Sequence, residues 1–115
     1  MLAGMSRIFA VLAGLMATPA LAQSTVVDGR MLQGWCATDA ALCQGFVTGI
    51  ADTIALTPDR NLLGFFACLP PRVPPERLTE IVAQHLQEHP DWLHHAAAVL
   101  TVEALAAAYP CPNWR

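Results

Sequence analysis

Apolar residues recur at helical spacing in four stretches of this chain, and none alternates as a half-buried strand would. The first stretch is short, about Val27 to Trp35, with Met31, Leu32 and Trp35 on one side and Thr25 or Asp28 as its start signal. The second runs from about Ala40 to Leu56 after Thr38-Asp39. In it Leu42, Phe46, Ile50 and Ile54 recur every fourth position, with Cys43 and Val47 beside them. Gly45 and Gly49 interrupt it, each at a cost of about 1 kcal/mol against alanine. Close approach of another backbone is the expected compensation.

Turn chemistry at Thr57-Pro58-Asp59-Arg60-Asn61 and an apolar loop, Leu62-Leu63-Gly64-Phe65-Phe66, separate the two halves. Pro70-Pro71 and Pro74-Pro75 then forbid regular helix. The third helix is expected from Pro75 to about Gln87, with Pro75 in the first helical position and Leu78, Ile81, Val82, His85 and Leu86 as its apolar stripe. The fourth is expected from Pro90 to about Tyr109. It is alanine-rich and apolar nearly all round, which calls for burial on most sides. In a chain this small that predicts a homodimer using part of this helix. The fold class is therefore all-α, a small four-helix disulfide-stapled bundle.

Four cysteines allow three pairings. Two antiparallel helices return the chain near its start, which brings Cys111 beside Cys68 and leaves Cys36 with Cys43 across the first turn. Loop entropy assigns ~4 kcal/mol to the long bridge and ~2.5 kcal/mol to the short one.

The N-terminal segment changes the compartment. Arg7, the apolar run Ile8 to Ala17 and Ala20-Leu21-Ala22 read as a secretory signal peptide over residues 1–22, with the domain at 23–115. The run is too short to span a bilayer, and no later segment is apolar enough to do so. Export to an oxidising space, with the bacterial periplasm favoured by the A-x-A site, suits a disulfide framework. Removing Arg7 leaves five arginines against nine carboxylates and no lysine, a formal charge of −4. That excludes nucleic acid as a partner and suits a basic protein.

Catalytic candidates are few. Ser24 is the one serine of the exported chain, lysine is absent, and the cysteines are assigned to bridges, so an activated nucleophile is missing. No catalytic residue and no cofactor are expected. His85 and His89 stand four apart, with His94 and His95 following. However, Pro90 breaks the helix after His89 and the metalloprotease order is lacking, so no metal site is expected and a pH-responsive cluster is favoured over a metal carrier. Asp52 is expected to bond the backbone or a neighbour. Trp35, Trp92 and Trp114 read as packing residues, with Trp114 able to touch a partner.

Several of these residues resemble the Rap/Tai family of type VI secretion immunity proteins. The matching elements are Leu32-x-x-x-Cys36, Cys43-Gln44-Gly45-Phe46-Val47-Thr48-Gly49-Ile50-Ala51-Asp52, Cys68-Leu69-Pro70, His89-Pro90-Asp91-x-Leu93-His94, and the ending Tyr109-Pro110-Cys111. Phe46 replaces the family's usual tyrosine, and Pro74-Pro75 stands where a threonine cap is common. The resemblance implies a small helical periplasmic protein, often dimeric, that binds and neutralises a toxic effector by occlusion. In the best-known branch the effector is a peptidoglycan amidase of the cell wall, blocked by a loop. Carried over here, the contact loop is Thr57 to Phe66, with Asn61, Leu62, Leu63, Phe65 and Phe66 as partner-binding candidates. The alternative is an acid-stress helical chaperone, suggested by the histidines and the apolar fourth helix.

Overall fold

Two aspartates start the first two helices. The Asp28 carboxylate accepts from the Met31 N–H at 2.9 Å, and Asp39 accepts from Leu42 at 3.2 Å, each filling an N–H that the first turn leaves unpaired. A computed structural model describes residues 26–112. Within them α1 (Gly29–Thr38), α2 (Ala40–Leu56), α3 (Pro75–Glu88) and α4 (Ala97–Ala108) pack together, with a tight turn at Pro58–Arg60 and a single 3₁₀ turn at Pro90–Trp92. The segments read as signal peptide and Trp114 lie outside the described residues.

The all-α expectation is corrected by a small hairpin. Strands β1 (Asn61–Leu62) and β2 (Phe65–Phe66) pair antiparallel, Asn61 with Phe66 and Leu62 with Phe65. Glycine at the second turn position lets the chain reverse in two residues.

The fourth helix begins later than Pro90. The chain makes a 3₁₀ turn, then lies extended at Ala96, which bridges to Asp28. The carbonyls of Leu93 and His95 accept from Arg30 and Gly29 at 3.1 and 3.0 Å, and the Val27 carbonyl accepts from Ala97 at 2.9 Å. This segment therefore pairs with the start of α1 instead of closing its own helical bonds. Here the close backbone approach does occur, at Gly29. A Cβ there would lie 2.9 Å from the Leu93 Cα and carbonyl oxygen. Gly45 and Gly49 correct the earlier expectation, since a Cβ on either meets nothing within 4 Å.

The core is the meeting of α4 with α1, α2, α3 and β2. Leu32, Val47, Ile54, Val82, Leu86, Leu100, Val102 and Leu105 are its largest fully buried apolar side chains. Thr101, also fully buried, donates its hydroxyl to the Ala97 carbonyl at 2.8 Å, so its burial leaves no unpaired group. One chain thus covers most of the apolar helix by itself. The ground for a homodimer through α4 falls away.

Both bridges form as the hairpin geometry predicts. Cys36 joins Cys43 with Cα atoms 4.8 Å apart, and Cys68 joins Cys111 at 4.9 Å. The second closes the whole α3–α4 unit and ends two residues beyond β2.

Candidate functional site

The β-hairpin is braced at its base and strained at its tip. The Ala67 N–H donates to the Arg60 carbonyl at 3.1 Å, and the Cys68 N–H donates to the Tyr109 carbonyl at 2.8 Å beside the long disulfide. The Arg60 guanidinium donates to the Ala55 carbonyl, placing a cation on the carbonyl end of α2. Leu62 and Phe65 pack against the core, and Ala67 is fully buried.

At the tip Leu63 and Gly64 take φ of 55° and 86°, both left-handed, as a type I′ turn demands. Glycine does this freely, whereas leucine loses about 1–2 kcal/mol from its Cβ meeting the following carbonyl. Asn61 steadies the turn by accepting the Gly64 N–H at 3.1 Å. The Leu63 side chain nevertheless remains 55% exposed. Asp59 and Arg60 are left-handed as well, with φ of 59° and 57°.

The five candidate contact residues therefore separate. Asn61 and Leu63 face solvent; Leu62 and Phe65 are half-buried, pack against the core and form the hairpin's seat, while Phe66, also half-buried, pairs with Asn61 on the other face. The sequence signal for the turn was Gly64 between two apolar pairs, a hairpin spacing rather than a plain loop.

A cleft of about 590 Å³ flanks the hairpin base, between α2 and the Leu69 to Val73 segment. Asp52, Arg60 and Arg72 stand around it. Asp52, expected to bond nearby, is exposed and makes no hydrogen bond or ion pair among the described residues. Nothing in the sequence pattern joins Asp52 to Arg72; the hairpin between them brings them together.

The histidines assemble differently. His89 stacks on Trp92 with ring centres 3.9 Å apart, and His85 lies 4.5 Å from His89. His85 Nε2 is buried without a hydrogen-bond partner and sits 3.8 Å from a Glu103 carboxylate oxygen, an ion-pair distance too long for a hydrogen bond. Burial, then the neighbouring His89, holds the His85 pKa below its usual value, while Glu103 and Glu88 oppose this. His94 and His95 pack on each other instead, at 4.3 Å. Among the described residues no group of three or more His, Cys, Asp or Glu is placed to hold a metal. No helix there is long and apolar enough to cross a membrane.

These elements define a disulfide-stapled helical domain that displays a braced apolar turn. The family model for Rap1a immunity proteins matches residues 26–111, which takes in every described element, and the chain belongs to that family. No curated protein and no solved structure matches it.

Proposed function

We propose that this chain is a periplasmic immunity protein that neutralises a type VI-secreted effector, a peptidoglycan amidase, by occluding its active-site cleft with the Asn61–Phe66 hairpin. The carrying observation is Leu63: an apolar side chain held exposed on a strained turn, on a base fixed by a disulfide. Folding alone gives no return for that arrangement, whereas an apolar anchor entering a pocket does. Occlusion needs no catalytic group or cofactor of the chain's own. Residues 1–22 act as the export signal in this reading, which places the disulfides in an oxidising space.

The test is protection. Cells making an exported amidase encoded beside this gene should survive when the wild-type chain is co-expressed. Leu63→Asp should fold normally yet lose about 30-fold or more in affinity, the scale of a hot-spot residue. Full protection by Leu63→Asp, or none by the wild type, would refute the proposal.

The acid-stress reading has one observation in its favour, the buried unpaired His85. It also requires apolar surface released at low pH, and the fourth helix that would supply it is locked inside a single chain.

A further inference from the structure

The cleft beside the hairpin continues into a second hollow. That hollow, about 440 Å³, shares Ala51, Asp52, Val73 and Leu78 with the first, so the two form one groove along α2 from Ala41 to Ala55. At 1.5 Å per residue this is about 20 Å of helix, the length of about six residues of extended chain. Ile54, Ala67 and Leu78 give the groove an apolar floor.

Its charge runs against that of the molecule. The exported chain carries more carboxylates than arginines, yet two of the four described arginines, Arg60 and Arg72, stand at this groove, against the single carboxylate of Asp52. Arg77 is already paired with Glu80 at 3.2 Å, and Arg60 is partly committed to the Ala55 carbonyl. Arg72 has neither a hydrogen bond nor an ion pair among the described residues, and its backbone is left-handed at φ 63°. Gly45 lines the same groove. Nothing in the fold occupies the space its Cβ would take, so a side chain there would only fill the groove. Gly49 is equally unneeded by the fold but does not line the groove.

We propose that this groove receives an extended acidic segment of a partner protein, with a carboxylate of that segment on the Arg72 guanidinium and small apolar side chains on the floor. The guanidinium fork matches a carboxylate with two parallel hydrogen bonds. Asp52 sets the segment's polarity, accepting a backbone N–H from it. The groove borders the hairpin, since Arg60 precedes β1 and Ala67 follows β2, so one partner reaches both. The proposal rests on the partner-binding reading above and gives that partner a second contact of defined chemistry.

The probe is an acetylated hexapeptide of alternating glutamate and alanine, titrated into the oxidised ¹⁵N-labelled protein, with glutamine and lysine counterparts. The glutamate peptide should bind weakly and shift the amides of Ala51, Ala55, Ala67 and Val73. The glutamine peptide should bind about tenfold less well, the cost of losing a charged hydrogen-bonding partner. Arg72→Gln should bring the glutamate peptide down to that level. Gly45→Leu should block it, while Gly49→Leu should not. Equal response to all three peptides, shifts confined to another face, or an unchanged Arg72→Gln would overturn the proposal. These outcomes need no effector. In the protection assay, Arg72→Gln and Gly45→Leu variants that protect fully would strike the groove alone, whereas a wild type that fails to protect strikes the hairpin reading.

Discussion

Among the described residues, helix α4 and the β-hairpin are both strongly apolar, and they dispose of that apolarity in opposite ways. In α4 the side chains of Leu100, Val102 and Leu105 are all but fully buried, and the one buried hydroxyl is hydrogen-bonded within the helix. Its backbone is ordinary, and other elements cover it. The hairpin seats Leu62 and Phe65 in the core but turns Leu63 outward on a left-handed backbone. Apolar residues that are hidden and unstrained belong to the fold; one that is exposed and strained points beyond it. The comparison narrows the expected contact loop, Thr57 to Phe66, to the exposed turn at its tip.

The long disulfide is where the two regions meet, because it ties the segment after β2 to the segment after α4. Cys111→Ser should therefore cost the most, about 4 kcal/mol with the loop it closes. It should also loosen the hairpin seat, so affinity for the effector should fall in any fraction that remains folded. Calorimetry with a binding assay on the same sample checks both. Unchanged affinity in a folded Cys111→Ser protein would separate the hairpin from its brace. Leu105→Ala comes next. Removing a fully buried leucine from the centre should cost about 3 kcal/mol in denaturant unfolding. Affinity at a temperature where the variant is still folded should not change.

Much of the helical frame was legible, since its causes are local. Asp39 before an apolar period starts α2 at Ala40, and Pro75 in the first position starts α3. The disulfide pairing followed from an antiparallel return. The start of α4 was not legible, because Leu93 to Ala96 spends its backbone groups on α1, a partner more than sixty residues away in sequence. The glycines show the same limit. A helical Gly-x-x-x-Gly spacing in α2 promised a close contact that no neighbour makes, while Gly29, with no spacing to mark it, sits against Leu93. Of the candidate site, the loop was visible as an apolar stretch between turns. The division into an exposed tip and a buried seat was not, because it depends on which face of the hairpin meets the core.

Leu63→Asn reverses the sign of the earlier effects and so isolates the tip. Asparagine before glycine is the preferred type I′ pair, and the native φ of 55° suits it better than leucine. The variant should gain about 1 kcal/mol in stability, read as a raised denaturant midpoint, and lose affinity for the effector. A Leu63→Asn protein that is more stable and binds as well as wild type would show that the strained leucine serves no contact.

The smallest effect concerns the one charged residue of α4. Glu103 faces His85, whose other titratable neighbours are Glu88 at the end of α3 and His89 just beyond it. Burial and His89 outweigh the two carboxylates, so the His85 pKa in the fold lies below its usual 6.5. Above that value His85 is neutral whether the chain is folded or not, and its contribution does not vary. As pH falls below it, the unfolded chain takes up the proton first, so stability declines until the folded-state value is passed, and then levels off. His85→Leu should flatten that decline and also remove the buried unpaired Nε2. Unfolding midpoints measured from pH 8 to pH 5 on the two proteins decide it. A wild type that grows more stable as the pH falls would mean that Glu103 dominates, and that α4 depends on a charged pair at its surface as well as on apolar packing.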